Sequence, residues 1–343
     1  MPPSDHSTPP VWTRRRVLRT LFCSSAALAL NVHRQLLSAA EAATEPGDRH
    51  WLMIGDFGSQ LPAQTAVAGA MKTYLARLGI RPEALLLLGD NFYKEMPGGL
   101  ESPRWRTGFE DMYPADAFPG PCPAILGNHD YGDNPNGDRI QLDYAQKKGT
   151  RWTMPHKWYR MDFPVARPLV TFLFLDTNTP AVRGVDKDPG KSRAALSPEE
   201  AAAQWAWLDA EFAKPDRAPW TIVAGHHPVY SNGHHGDTKD IVEKLAPRLQ
   251  RHRVPLYLCG HDHDQQHLEL EGTATSFVLS GCGGARVRPM ERTDRGPYAN
   301  PVYGFTHLQV SSRRLLLRHI DANGNQLHAF SKTPDGRVTI EAA

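Results

Sequence analysis

The sequence predicts an α/β fold, because short apolar runs typical of buried strands alternate with segments of helical periodicity. Two further observations support this class. Polar blocks that each contain a glycine follow the apolar runs, as they do at the carboxyl ends of strands in α/β sheets. Beyond residue 260 the pattern changes to short strands separated by turns. We therefore expect largely parallel pairing first, and then an antiparallel segment that closes the same domain.

The individual elements follow from periodicity and from residues that begin or end helices. Gly79 ends the first helix, and Ser197 and Pro198 are suited to the N-cap and first turn of the second. The predicted helices cover residues 63–78, 199–212 and 238–250. The predicted strands cover residues 51–54, 84–88, 123–126, 169–175, 220–224, 256–258, 267–270, 275–279, 304–310, 314–320 and 326–330.

The N-terminal segment, residues 1–43, has the composition of a twin-arginine export signal. Paired arginines precede an apolar stretch at 21–30, and small residues at 38–43 resemble a cleavage site. A disordered basic tail is the alternative. His33 and Arg34 interrupt the apolar stretch, which makes it too short for a stable transmembrane helix. We therefore predict export to the periplasm or the medium, and a single catalytic domain at 44–343.

Charge and cysteine content exclude other classes of protein. The 39 basic and 37 acidic residues give a formal charge of +2, which is not the electrostatic footprint of a nucleic-acid-binding protein. Without Cys23, three cysteines remain, and an odd number with no CxxC pair is no disulfide framework. We expect Cys122 and Cys259 to be buried thiols, do not expect a bridge between Cys259 and Cys282, and expect a monomer. Residues 180–198 are predicted to be an exposed loop.

Five polar blocks carry the functional prediction, and seven of the sixteen histidines lie in or beside them. Carboxylate and amide oxygens suit hard cations, and imidazole suits Fe, Zn or Mn. Taken singly, an aspartate after a strand is often only a turn residue, and a tyrosine is usually a packed aromatic. Together the blocks predict a site for two metal ions. They are Gly-Asp56-Phe-Gly58, Gly-Asp90-Asn-Phe-Tyr93, Gly-Asn128-His129-Asp130, Gly-His226-His227-Pro and Gly-His261-Asp-His263.

These blocks and their flanks resemble the calcineurin-like metallophosphoesterase superfamily over residues 51–281. Other branches of the superfamily carry Asp-x-His in the first block. Here Gly58 stands at the third position and Tyr93 appears in the second block, which resembles the purple acid phosphatases of the tartrate-resistant type. The resemblance implies a sandwich of two mixed β-sheets that pack together and are flanked by helices (α/β/β/α).

The resemblance also implies the metals and the residues that hold them. Fe(III) would be bound by the first set of ligands and a second, divalent ion (Fe, Zn or Mn) by the second set, with Asp90 shared between the two ions. A phenolate is a hard anionic donor, which suits a trivalent ion. The first set is Asp56, Asp90, Tyr93 and His263, and the second is Asp90, Asn128, His226 and His261.

By the same resemblance, a metal-bound hydroxide would attack phosphorus in line. His235 is the expected proton donor to the leaving group, although a shift of the loop would exchange it for His234. His129 would bind phosphate or manage a proton, oriented by Asp130. His227 is expected to be a packed or solvated histidine.

The implied function is an exported acid phosphatase acting on phosphate monoesters. A phosphodiesterase or nucleotide-directed hydrolase on the same site is the alternative within enzymes. A metal- or phosphate-binding protein without turnover, and iron-based redox chemistry as a side activity, are the alternatives outside this class. The disulfide of the relatives would join the exposed loop to the segment after the fourth block, but residues 180–198 and 231–240 contain no cysteine here.

Overall fold

A computed structural model describes residues 47–183 and 195–342. The predicted signal at 1–43 and residues 184–194 of the predicted loop lie outside this part of the chain. Among the described residues, no helix has both the length and the apolar character needed to span a membrane. The described residues from Arg49 onward belong to one compact unit.

The first sheet has six strands and places β1 and β2 side by side in parallel, because Trp51 to Ile54 pair with Ala84 to Leu87 in register. The other pairs in this sheet are antiparallel. Its order is β15-β14-β13-β12-β1-β2. The strands are β1 (Arg49–Ile54), β2 (Ala84–Leu87), β12 (Gly304–Val310), β13 (Leu315–Asp321), β14 (Gln326–Lys332) and β15 (Val338–Glu341).

The second sheet has seven strands, and its four central strands, β10, β8, β7 and β6, are parallel. The full order is β11-β9-β10-β8-β7-β6-β5. The strands are β5 (Tyr159–Phe163), β6 (Val170–Phe174), β7 (Trp220–Ala224), β8 (Leu256–Cys259), β9 (Gln265–Glu269), β10 (Ser276–Ser280) and β11 (Tyr298–Asn300). A separate pair consists of β3 (Cys122–Pro123) and β4 (Trp152–Thr153).

The two mixed sheets pack face to face, as the predicted sandwich requires. Trp51 of β1 is fully buried, and its ring lies 5.6 Å from that of Phe172 in β6. Burial of such large apolar side chains between the layers stabilises the contact. Helices flank the sheets: α1 (Pro62–Leu78), α2 (Asn128–Gly132), α3 (Gly137–Tyr144), α4 (Pro180–Arg183), α5 (Pro198–Ala213), α6 (Lys239–Lys244) and α7 (Ala246–Arg251).

The predicted helix ends agree with the structure. Gly79 takes a left-handed conformation, φ 64°, after the last residue of α1. Ser197 caps α5: its hydroxyl accepts from the Glu200 amide at 3.1 Å, and the Glu200 carboxylate accepts from the Ser197 amide at 2.8 Å. The three cysteines in the described residues, Cys122, Cys259 and Cys282, are buried and free.

Three predictions about elements were wrong in part. The helix at 238–250 is two short helices, because Pro247 lies in the first turn of α7 and cannot continue the hydrogen bonding of α6. The strand at 123–126 ends at Pro123 and continues only as a bridge between Leu87 and Ala124. The strand at 275–279, expected in the antiparallel segment, pairs parallel with β8. The edge strands β5, β11 and β15 were not predicted, because polar residues interrupt their apolar patterns.

Three buried histidines from β9, β13 and β14, none of them part of the five blocks, form a second histidine cluster. The Nδ1 of His267 lies 3.0 Å from the Nε2 of His328, whose ring stacks on Tyr298 at 4.7 Å. Glu269 lies 2.7 Å from the other nitrogen of His267. Burial lowers the pKa of His267 and, well below its ordinary value, that of His319. Burial and His267 lower the pKa of His328 to about 4.

This cluster predicts a loss of stability in acid. The folded pKa of His328 lies below its ordinary value of 6.5, so the unfolded chain binds more protons and stability falls as the pH falls from 6.5 towards about 4. We expect His328 to lower the free energy of unfolding by about 2 kcal/mol at pH 5 relative to pH 8. Denaturant unfolding at the two pH values should show a smaller pH dependence in His328→Gln. The exposed His156→Gln should leave it unchanged, and equal curves for both variants would contradict the prediction.

Candidate metal centre

The blocks meet because adjacent parallel strands end at the same edges of the two sheets. Asp56 follows β1 and Asp90 follows β2, and His261 follows β8. All three take left-handed backbone conformations, with φ of 55°, 50° and 71° respectively, which are uncommon for residues other than glycine. Strained backbone of this kind clusters at functional sites, where surrounding structure holds it in place.

Gly58 and Tyr93 are linked by a close backbone approach. A Cβ atom at Gly58 would lie 1.8 Å from the carbonyl oxygen of Asn91, so no side chain fits there. The amide of Tyr93 donates to the carbonyl of Gly58 at 3.1 Å. The absence of a side chain at the third position of the first block therefore allows the second block to present its tyrosine.

One cluster of donor atoms is built from carboxylates, a phenol and an imidazole. The Oη of Tyr93 lies 3.2 Å from Oδ1 of Asp56 and 3.1 Å from Nε2 of His263. Asp56, Asp90 and His263 each offer one donor atom, and these three atoms lie within 4.8 Å of one another. The Nδ1 of His263 donates to the carbonyl of Arg286 at 2.7 Å, so in the neutral ring the lone pair lies on Nε2, the nitrogen that faces the cluster.

A second cluster is built mainly from imidazoles. The Nε2 of His226 lies 3.2 Å from Oδ1 of Asn128 and 3.3 Å from Nδ1 of His261. The Nδ1 of His226 donates to the carbonyl of Leu88 at 2.9 Å, which fixes its tautomer. His227 also belongs to this group by distance. It is buried, and its Nδ1 lies 2.8 Å from the hydroxyl of Thr177.

Asp90 lies between the two clusters. Its Oδ1 is 3.5 Å from Nε2 of His226, while its carboxylate also groups with Asp56 and His263. The backbone amide of His129 donates to the same Oδ1 at 2.8 Å. The structure thus brings all seven predicted ligands together, with one carboxylate in reach of both sets.

The electrostatics of the clusters fit metal ions. Burial, together with the charges of Asp56 and Asp90, raises the pKa of Tyr93 well above its ordinary value. Burial would also raise the pKa of Asp90, but His226 and His129 outweigh it and hold that pKa below its usual range. Burial and neighbouring imidazoles lower the pKa of His261 well below its ordinary value. Two buried carboxylates beside a phenol and several imidazoles are a donor set that a cation would stabilise.

His129 is oriented by a different carboxylate from the one predicted. Its Nδ1 lies 2.8 Å from Oδ2 of Asp133. Asp133 directly follows α2 and lies one helical turn after His129. Asp130 instead accepts backbone amides of Gly127, at 2.8 Å, and Asn91, at 3.1 Å, and so holds the second and third blocks together. The prediction that Asp130 orients His129 was therefore wrong.

His235 lies against the second cluster, whereas His234 does not. The ring centroids of His235 and His261 are 4.2 Å apart, and the Nε2 of His235 accepts from the guanidinium of Arg288. Burial and Arg288 lower the pKa of His235 to about 4. His234 is half exposed and lies 3.1 Å from the carboxylate of Glu291. Arg288 was missed by the sequence analysis, because no motif surrounds it.

A cavity of about 390 Å³ opens beside the second cluster. Its walls include Asn128, His227, His235, Lys239 and His261. Such a volume suits a small organic group attached to a bound phosphate.

Comparison with known proteins identifies the chain. Residues 51–265 match the calcineurin-like phosphoesterase family, so the chain belongs to that family. The chain is 31% identical over 335 residues to human tartrate-resistant acid phosphatase type 5, covering 92% of this chain and 96% of the human protein. It is 29% identical to purple acid phosphatase 7 of Arabidopsis thaliana, over 83% of this chain and 86% of that one. The resemblance to purple acid phosphatases is thereby confirmed.

Solved structures confirm the predicted fold class. GAP50, described as the anchor in the inner membrane complex of Plasmodium, has a TM-score of 0.69 at 21% identity, over 86% of this chain and 90% of that one. The purple acid phosphatase PPD1 from yellow lupin (Lupinus luteus) has a TM-score of 0.60 at 16% identity, over 84% of this chain and 54% of that one. At these identities the likeness concerns the fold alone.

Proposed function

We propose that this protein is an exported acid phosphatase with two metal ions that hydrolyses phosphate monoesters. The observation that carries the proposal is Asp90, whose buried carboxylate lies within reach of both donor clusters. Membership of the phosphoesterase family and the acid phosphatases among the relatives support the same reaction.

The donor sets support different ions at the two positions. Asp56, Asp90, Tyr93 and His263 would hold Fe(III), because two carboxylates and a phenol supply the negative charge that a trivalent ion needs. Asn128, His226 and His261, together with Asp90, would hold a divalent ion of Fe, Zn or Mn. When bound, the two ions would activate water and neutralise the charge of the phosphate.

The two histidines beside the clusters, His129 and His235, would have different roles in the reaction. His129, held by Asp133, presents its ring next to Tyr93 at 4.4 Å between centroids, where it can donate to a phosphate oxygen. His235 faces the cavity that would hold the leaving group. An anionic substrate would offset the charge of Arg288 and favour protonation of His235, which then supplies a proton to the departing oxygen.

Export rests on the sequence of residues 1–43, with its paired arginines, apolar stretch and small residues. N-terminal sequencing of protein recovered from the periplasm or medium tests it. We further propose a monomer with one catalytic domain at 44–343.

The proposed reaction is tested by metal analysis together with turnover of p-nitrophenyl phosphate and of its bis ester. We expect about two metal ions per chain, iron among them, and faster turnover of the monoester. Preference for the bis ester would instead support the phosphodiesterase alternative. Two bound metals without turnover of either ester would support a binding protein.

Tyr93→Phe provides a spectroscopic prediction. A phenolate bound to Fe(III) absorbs visible light, so the unchanged protein should be purple, and Tyr93→Phe should lose this band because it has no phenol oxygen. Visible absorption and iron content are measured on the same samples. Tyr303→Phe is the control and should keep the colour, because Tyr303 directly precedes β12 and belongs to neither donor cluster. A purple Tyr93→Phe would contradict the ligand assignment.

A further inference from the structure

The histidine loop, residues 231–237, carries His234 and His235 and is closed by one arginine from a distant part of the chain. The Nη1 and Nη2 of Arg295 donate to the two carboxylate oxygens of Asp237 at 3.0 and 2.8 Å. Nη2 also donates to the carbonyl of Ser231. The same guanidinium therefore holds the first and last residues of the loop, in the bidentate geometry that makes such bonds strong and directional.

Asn232 extends this contact along the backbone. Its side-chain amide donates to the carbonyl of Arg295 at 2.7 Å. Its carbonyl accepts from the amides of Glu291 and Arg292, both at 3.1 Å. The segment 291–295 is thus joined to the histidine loop by side-chain and backbone hydrogen bonds together, although Asn232 and Arg295 are 63 positions apart in sequence.

The centre of the histidine loop is tied to the metal ligands. The amide of His235 donates to Oδ1 of Asp262 at 2.8 Å, and the hydroxyl of Ser231 donates to Oδ2 of the same carboxylate. Asp262 stands between the predicted ligands His261 and His263. With its ends held by Arg295 and its centre by Asp262, the loop fixes the place of the His235 ring relative to His261.

We infer that Arg295 is a positioning residue for His235: it holds the histidine loop in the conformation from which His235 reaches the leaving group. The inference rests on the proposed function, in which His235 supplies the proton. Arg295 has a second consequence, because Asp237 lines the cavity. Its pairing with Arg295 neutralises a carboxylate that would otherwise repel a phosphate ester.

Arg295→Gln should reproduce the kinetic pattern of His235→Ala. A poor leaving group needs a proton more than a good one, so we expect kcat for glycerol phosphate to fall about tenfold or more and kcat for p-nitrophenyl phosphate to fall less than about threefold. Arg292→Gln is the matched control: it lies in the same segment, and its side chain bonds to Asp294 at 2.7 Å. It should change neither value. Equal losses of kcat on both esters in Arg295→Gln would overturn the inference.

A double variant tests whether Arg295 acts through His235. If it does, Arg295→Gln should cost nothing further in the His235→Ala background, because the two changes remove the same contribution. Independent, multiplied losses of kcat would overturn the positioning role.

Two further variants separate position from charge. Arg295→Gln should also raise KM, because it leaves the charge of Asp237 unpaired beside the cavity. Arg295→Lys keeps a positive charge beside Asp237 but lacks the planar fork, so KM should return to the value of the unchanged protein while kcat for glycerol phosphate stays low. Asp237→Asn combined with Arg295→Gln removes both charges and should give the same result. If either of these variants recovered the kcat of the unchanged protein for glycerol phosphate, charge alone would be sufficient and the positioning role would be overturned.

Hydrogen exchange supplies a readout that does not depend on turnover. The amides of residues 231–237 should exchange faster in Arg295→Gln than in Arg292→Gln, because the loop has lost the contact at both ends. Equal exchange in the two variants would overturn the inference. Failure of the unchanged chain to turn over either ester would refute the proposed function instead, and exchange would still decide whether Arg295 holds the loop.

Discussion

Replacing Asp90 by asparagine is expected to lower kcat for p-nitrophenyl phosphate by about a thousandfold or more. The variant keeps the size of the side chain and an oxygen for the amide of His129, which donates to Oδ1 at 2.8 Å. It removes the negative charge that lies within reach of both donor clusters. We therefore expect metal content to fall below two ions per chain along with the activity.

Kinetics and metal analysis on the same preparation check this result. Asp138→Asn is the control, because Asp138 is also a buried aspartate, but it pairs with Lys157 at 3.0 Å outside the metal centre. It should retain both metals and most of the activity. An Asp90→Asn protein with two metals and near-normal kcat would mean that the two ions do not share this carboxylate.

Gly58→Ala is expected to lower both stability and iron binding. Its added methyl would lie 1.8 Å from the carbonyl oxygen of Asn91, so the segment that ends at Tyr93 must move. Overpacking of this kind costs about 1–3 kcal/mol or more when backbone has to shift. We expect a lower melting temperature and a weaker purple band, because the tyrosine is displaced from the first cluster.

Gly69→Ala is the matched control for that change. Apart from the adjacent residues and the backbone of α1 itself, no atom lies within 4 Å of a Cβ at this position, and alanine is the better helix former. The melting temperature of Gly69→Ala should stay the same or rise, with the colour unchanged. Unchanged colour and stability in Gly58→Ala would show that the backbone approach does not position Tyr93.

The grouping of the proposed ligands could be predicted from sequence, because each lies in a short block at the end of a strand. A buried strand followed by glycine and a polar residue is a local pattern, and parallel strands bring such ends together without any further information. Asp56, Asp90 and His226 are therefore found where the pattern implies. For Tyr93 the local pattern alone is weak evidence, and its place among the expected ligands came from the resemblance to the family.

The partners of the histidines could not be predicted in the same way. The choice between Asp130 and Asp133 depends on where α2 begins, and a shift of a few residues in a helix turns a side chain to another face. Arg288 and Arg295 lie in a segment without regular structure between β10 and β11. Their contacts with the histidine loop join residues more than fifty positions apart, and no local pattern encodes such pairs.

The left-handed backbone at Asp56, Asp90 and His261 lowers the stability of the fold at positions where the proposed function needs these side chains. Each such residue costs on the order of 1–3 kcal/mol, and glycine would relieve that cost. A laboratory selection for heat resistance alone would therefore favour glycine or asparagine at these positions, and it would remove the proposed metal ligands as it succeeded. Directed evolution of a more robust enzyme from this chain needs to select for turnover in every round.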